Sequence, residues 1–325
     1  MQSPLPVRDG VNATRLRLPE EGPWDTAMDY MMHRWGHIDP QGIEDRFDAG
    51  EIVGEGGVPL DRRTRLEDHT FIWYYRTLPP ETRLPVELSI LHQDDHILVV
   101  DKPHFLPTTP GGTYIQESAL VRLRNQLDLP DLIPMHRLDR MTAGILLLST
   151  NPETRGKYQV LFEKRQVQKE YECVAAAEPA AGHPAVDFPV VVRNRMTKSR
   201  SYLLAEVVEG EPNAETRIDL LRTFDAGTSD GGRPAAGSAV GPFPAQRLGL
   251  YRLEPHSGKT HQLRVHMASL GLGILHDAFY PELLDKAPDD YTKPLQLLAR
   301  GIRFIDPITG KPVEYRSRLA LSEAR

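Results

Sequence analysis

Cysteine is nearly absent from the chain: among 325 residues there is one, Cys173. A lone thiol can close no internal disulfide and build no thiolate zinc site, which fits a reducing compartment. Set between strand-like residues, it reads as a small buried hydrophobe. Long apolar runs are missing too, and nothing approaches the ~18 residues of a membrane span. The opening residues, MQSPLPVRDG, carry no apolar stretch behind their first charges, so no secretory signal is expected. An excess of positive charge is also lacking. Lys and Arg number 39 against 45 Asp and Glu, a net charge of −6, which excludes a sticky, non-specific polyanion binder. These absences leave a soluble, metal-free, cytoplasmic protein with no membrane partner, expected as a monomer.

The acidity is uneven. Residues 1–90 carry 10 basic and 16 acidic side chains, whereas residues 120–205 carry 13 basic and 9 acidic. An enzyme that meets RNA through one basic cleft is compatible with that distribution. Composition is otherwise ordinary for a globular chain, 40% hydrophobic and 26% charged. The length suits one large domain or two modest ones.

Along the chain, the first twenty residues read as a loose arm. A small patterned unit follows: Ala27, Met31 and Trp35 at helical spacing, then Ile43–Phe47, strand-like Ile52-Val53 and Phe71–Tyr75, and a turn at Gly54–Gly57. Pro79-Pro80 marks a linker, so residues 1–82 form the first domain and residues 83–325 the second. In the second, Ile90-Leu91 and His96–Val100 are strand candidates around the turn Gln93-Asp94-Asp95. The pattern predicts a helix over 118–127, a buried strand at Ile145–Leu148, and a helix begun by Asn151-Pro152 and running to Lys164. A strand over 169–176 comes next. Glu215–Phe224 and Leu248–Leu253 read as a hairpin, split at about 226–246 by a Gly, Ala, Pro and Ser stretch expected to be an exposed, mobile insertion. Leu263, Met267 and Leu270 mark a last helix face, with Gly271 to end it. The whole is α+β and strand-rich, without the regular alternation of a doubly wound sheet.

Two motifs mislead. His256-Ser257-Gly258-Lys259-Thr260 resembles part of a phosphate loop, but the glycine needed five residues before Gly258 is Leu253. His261, His266 and His276 form the densest histidine group, yet positions five apart diverge on a helix and on a strand alike, so they do not converge on a metal. The segment Met135-His136-Arg137-Leu138-Asp139-Arg140-Met141-Thr142-Ala143-Gly144 is different. It sets one acid among three cations immediately before a buried strand. A carboxylate so placed stays ionised, as a nucleophile should, and arginines beside it can hold phosphate bidentately. A solvated loop with a surface ion pair would give the same spacing.

His136-Arg137-Leu138-Asp139-Arg140, followed by Thr142 and Gly144, resembles the signature of the RluA-type pseudouridine synthases. Asp94 through Pro103 resembles that family's opening strand motif, Lys169-Glu170-Tyr171 its Lys-x-Tyr strand, and Ser257 through His266 its closing motif, continued by Gly271 through Asp277 and Tyr280. The blocks occur in family order over residues 86–318. The resemblance implies a pseudouridine synthase fold, with a mixed, largely antiparallel sheet, helices and a central active-site cleft. It implies isomerisation of uridine to pseudouridine in structured RNA, ribosomal RNA ahead of transfer RNA, with no cofactor.

By the same resemblance Asp139 is the nucleophile or base, Arg264 pairs with it, and Tyr171 stacks beneath the target base. Leu263 packs against that base and Arg137 fills the space it leaves on flipping out. His136, Arg140, Lys169 and Lys102 are expected to contact RNA or order the loop, and Arg193, Arg195, Lys198 and Arg200 to line the backbone path. Three positions depart from the family pattern: Ala143 for Ser or Thr, Lys259 for Arg, and His276 for Gly. Residues 24–78 loosely resemble the alpha-L type RNA-binding module that many relatives carry, with Arg62, Arg63 and Arg65 on a turn, though the charge is unusual for one. A catalytically inactive RNA-binding or ribosome-assembly factor on the same fold is the alternative. A nucleoside-level glycosidase is a more distant one.

Overall fold

The computed structural model describes residues 3–78, 80–199, 204–226, 247–285 and 287–324. Arg200, Pro79 and residues 227–246, which hold nearly all of the insertion read from the sequence, lie outside them. The chain forms two compact units. The first takes residues 1–82 together with 110–117 and 121–130, and the second takes 83–109, 118–120 and 131–325. The two short segments from beyond residue 82 are a departure from a division of the chain at a single point.

In the first unit, β1 (Thr14–Arg17) pairs antiparallel with β2 (Phe71–Tyr74). The opening residues are therefore not wholly a loose arm: four of them supply the partner that the apolar run at 71–74 requires. Helix α1 (Ala27–Trp35) starts at a reciprocal capping box between Thr26 and Asp29. Helix α2 (Pro40–Asp48) starts with Asp39 accepting from the Gly42 amide and proline in the first turn. Their apolar faces bury Met31, Ile43 and Phe47 with Ile52, Leu60 and Ile72. Ile52-Val53 forms no strand; Val53 makes isolated bridges to Pro59 and Trp73. Arg62 is engaged by Asp48 and Glu44, Arg46 by Asp39, and Arg65 by Glu67.

The second unit is built on one 11-stranded sheet. It comprises β3 (Ser89–Gln93), β4 (Ile97–Lys102), β5 (Ile133–Pro134), β6 (Ala143–Ser149), β7 (Gln168–Ala176), β8 (Val190–Lys198), β9 (Ala205–Val208), β10 (Ala214–Asp225), β11 (Arg247–Pro255), β12 (Leu297–Ile305) and β13 (Pro312–Arg316). The main order is β3-β4-β6-β12-β7-β11-β10-β8-β9. Every pairing is antiparallel except β6 with β12, so the sheet is mixed and largely antiparallel, as the family resemblance implied. Strands β8, β9, β12 and β13 were not foreseen from the sequence. Helix α3 (Ala119–Leu127) precedes β5. Helix α4 (Pro152–Glu163), capped by Asn151, buries Tyr158 against Ile145, Leu147 and Phe304. Helix α5 (Gln262–Ser269) buries Leu263 and Met267 against Cys173, Tyr251 and Leu253. No helix among the described residues is long and apolar enough to cross a membrane.

The strand order places β12 between β6 and β7. Ala299 of β12 lies opposite Gly144 on one side and Tyr171 on the other. Gly144 has a φ of +111°, and a Cβ there would lie 2.2 Å from the Ala299 carbonyl oxygen. Glycine is required both by the backbone conformation and by the close approach. Gly144→Ala is therefore expected to cost roughly 3 kcal/mol and lower Tm by roughly 6–12 °C; a thermal melt at the wild-type value would contradict this close packing.

Candidate active site

The segment between β5 and β6 is short and irregular, and side chains from elsewhere in the second unit hold its backbone at successive points. Leu147 donates its amide to His136 Nε2 at 3.1 Å. Thr108 clamps Leu138, its hydroxyl donating to the carbonyl at 2.8 Å and accepting from the amide at 3.1 Å. Lys102 reaches the Arg140 carbonyl, and His104 Nδ1 lies 2.6 Å from that of Met141. Asp139 sits in the middle, its own carbonyl accepting from the Thr142 amide at 3.1 Å. A loop so pinned has little freedom to reorient its one carboxylate.

Arg264 projects from α5 and is 3% exposed. Its Nε and Nη2 donate to the two oxygens of Asp277 at 2.7 and 2.5 Å, while Nη1 lies 3.8 Å from Asp139 Oδ2. The sequence-level pairing of Arg264 with Asp139 is therefore the looser of two contacts. The tight, bidentate partner is Asp277, itself 1% exposed on its side chain and further satisfied by the Phe279 and Tyr280 amides. Burial works against the Arg264 charge, but Asp277 and then Asp139 more than restore it, leaving its pKa above the usual arginine value. Asp139, with a side chain 27% exposed, is open to the cleft. His261 approaches it from a second direction, Nε2 lying 3.8 Å from Oδ2.

Asp139, His261 and Arg264 line a cavity of about 450 Å³, together with Arg137, Lys169, Tyr171 and Leu263, within the usual range for small-ligand sites. Tyr171 comes from β7, where burial and then the Asp139 charge push its phenol pKa up, so the ring is neutral. Leu263 belongs to the apolar core and shows only its edge. Lys169 donates to the Ser257 carbonyl at 3.1 Å, which ties β7 to the loop between β11 and α5. Arg137 is exposed and, among the described residues, makes no hydrogen bond or ion pair. Arg165, His256 and Lys259 join it at the rim.

Of the two roles open to Lys102, Arg140 and His136, contact with RNA and ordering of the loop, the geometry fits the second. Lys102 does not line an RNA path: it is 0% exposed, and its ammonium donates to the Pro103 and Leu106 carbonyls at 2.9 and 2.7 Å beneath the loop. Burial draws its pKa down to about 7, with Asp139 opposing. Arg140 is held bidentately by Asp289, both contacts at 2.7 Å, instead of standing free for phosphate. His136 orders the loop and carries no charge for phosphate; burial, with Lys169 nearby, depresses its pKa to about 3. Of the cations expected on the backbone path, Arg193 pairs with Glu215. The departures from the family pattern also resolve. Ala143 is packed among Val174, Leu248 and Leu298 in an apolar cluster, away from the chemistry, and His276 has a φ of +63°, the conformation that makes glycine usual there.

Asp277 and His261 were missed as site residues. Both lie within the motif blocks, Asp277 in the continuation of the closing motif and His261 inside it, but neither block assigns them a role. The three histidines once grouped take separate partners: His261 the Tyr280 hydroxyl, His266 Thr216 and Asn194, and His276 the Pro294 carbonyl.

Two measurements check this electrostatic arrangement. Asp277→Ala leaves a buried guanidinium without its bidentate partner and is expected to cost about 3–5 kcal/mol; a melt within a degree of wild type would show Arg264 satisfied elsewhere. His104 and His266 are each depressed to about 4, chiefly by burial. With His136 they are neutral in the fold and charged in the unfolded chain below pH ~6.5. Stability is thus fully present above that pH and lost as pH falls toward about 4. A Tm that rose on acidification over this window would contradict the assignment.

The family model for RNA pseudouridylate synthases matches residues 96–269. The dual-specificity RNA pseudouridine synthase RluA of Escherichia coli K12 is 31% identical over 234 residues, covering 71% of this chain and 92% of its own. An uncharacterised RNA pseudouridine synthase of Synechocystis is 27% identical over 260 residues, 78% of each chain. Among solved structures, human RNA pseudouridylate synthase domain containing 1 superposes with a TM-score of 0.53 at 20% identity, over 74% of this chain and 86% of that one. This last likeness is one of fold.

Proposed function

The chain belongs to the RNA pseudouridylate synthases, in their RluA-type family, and we propose how its own residues perform the isomerisation. The bond from ribose to the base nitrogen breaks, the uracil turns, and its carbon 5 bonds to the same sugar carbon; carbon 5 gives up its proton and the nitrogen gains one. Asp139 is the nucleophile or base. The observation that carries this assignment is its carboxylate, open to the cleft and backed at 3.8 Å by a buried arginine, which keeps the negative charge available beneath a bound base.

The target uridine has to leave its stack to reach that carboxylate, at a cost of a few kcal/mol that is smallest in a loop. Arg137, exposed and unengaged at the rim, fills the place it leaves. Tyr171 stacks on the flipped base, an interaction worth ~1–3 kcal/mol in other systems, and Leu263 packs on it from the α5 side. The rim cations Arg165 and Lys259 contact backbone phosphates. Ribosomal RNA is the first substrate class to test and transfer RNA the second; the E. coli relative is itself described as dual-specificity.

The deciding assay is tritium release from RNA labelled at carbon 5 of uridine, prepared from cells lacking the gene. Wild type is expected to release tritium, from ribosomal RNA ahead of transfer RNA. Asp139→Asn is expected to release none while still binding RNA. Substantial release by the variant would remove Asp139 from the mechanism, and release from transfer RNA alone would reverse the substrate order.

A further inference from the structure

His261 precedes α5 with a φ of +54°. Histidine tolerates this left-handed conformation better than most side chains, though at a cost, and it places an 8% exposed ring against Asp139. Nδ1 lies 3.0 Å from the Tyr280 hydroxyl and Nε2 lies 3.8 Å from Asp139 Oδ2. The Tyr280 hydroxyl also meets Ala205, accepting from its amide at 2.8 Å and donating to its carbonyl at 3.1 Å, so toward Nδ1 it can serve as acceptor or, by turning its one proton, as donor.

Only one tautomer suits both neighbours. A proton on Nδ1 would turn the bare Nε2 lone pair toward a carboxylate. A proton on Nε2 points that N–H at Asp139, and Nδ1 then accepts from Tyr280. The ring is also neutral. Burial draws its pKa below the ordinary histidine value, Arg264 and Arg137 act the same way, and Asp139 and Asp277 oppose them without prevailing.

We propose that His261 is a positioning residue for Asp139: its Nε2–H, favoured in that tautomer by the carboxylate it faces, holds the carboxylate in its reacting orientation. The inference rests on the reading of Asp139 as the reacting group. Arg264 cannot do this alone, since Nε and Nη2 are committed to Asp277 and one nitrogen remains for Asp139. The arginine and the histidine both approach Oδ2. Two nitrogens 3.8 Å from one oxygen, each a short step beyond hydrogen-bond distance, favour one carboxylate plane and leave the other oxygen for the substrate.

Two variants separate positioning from packing. His261→Gln keeps an N–H donor of similar reach. His261→Phe keeps a ring against Phe279, whose centroid lies 5.6 Å from that of the imidazole, and removes the donor. Both carry the same left-handed backbone cost, so a shared stability loss cancels in their ratio. His261→Phe is expected to lower kcat about 10- to 100-fold with KM nearly unchanged, and His261→Gln to recover most of that loss. Equal kcat in the two variants, or a change confined to KM, overturns the proposal. A second readout needs no turnover: nitrogen-15 NMR of the histidine-labelled full chain without RNA is expected to show His261 protonated at Nε2 and bare at Nδ1. Protonation at Nδ1 in the wild type overturns the proposal as well. Failure of the pseudouridine reading itself would look different, as wild-type protein with the Nε2–H signature but no tritium release.

Discussion

Arg264 has almost no access to water, and a guanidinium in that position is sustainable only opposite a carboxylate. Asp277 meets it with both oxygens, and two backbone amides meet Asp277 in turn. The pair is nearly self-contained, which is why the arginine can extend one remaining nitrogen toward Asp139 without collapsing onto it. Had Arg264 closed fully on Asp139, the carboxylate proposed to react would have been consumed in a salt bridge; at 3.8 Å it is approached and still reachable. The rings of Phe279 and Tyr280 flank the same guanidinium, their centroids 4.8 and 5.3 Å from its carbon, so one short turn after Asp277 supplies amides, aromatic faces and the hydroxyl that His261 meets.

The loop bearing Asp139 is fixed from the other side by groups that never touch the cleft. Lys102, Thr108 and His104, all from β4 and the segment after it, bond the backbone of residues 138, 140 and 141. Asp289 fixes the Arg140 side chain. The strand-ending Lys-Pro that looked like a surface cation is thus an internal brace. Asp139 lies near enough to support the Lys102 charge against the cost of its burial.

Much of this was legible in the sequence where a local rule and the global fold agree. The seven-residue strand β6 is buried throughout, and it reads as a continuous apolar run; Asn151-Pro152 reads as a helix start because capping is local chemistry. The four motif blocks located Asp139, Tyr171 and Arg264, and the fold brings them to one cavity. What was not legible depended on contacts remote in sequence. Lys102 and Arg140 look like any solvated cations until burial and Asp289 are seen. Asp277 stands thirteen residues from its arginine, with nothing local to mark it. Strand β12, LLARGIRFI, hides behind two arginines and a glycine, and β1, TRLR, exposes alternate side chains and has one large apolar residue to signal it.

The position of β12 has a consequence for how the molecule is made. Asp139 precedes β6 and Tyr171 lies on β7, yet these strands are not neighbours: β12 fills the slot between them. On the ribosome, both halves of the cleft emerge well over a hundred residues before the strand that sets their spacing. Until then β6 and β7 present unpaired apolar edges toward each other, and pairing directly would shut the cleft. Such non-local closure is intrinsically slow. The close approach of Ala299 to the bare backbone at Gly144 can therefore form only after the last long strand has been synthesised, and with it the spacing of the two halves of the cleft.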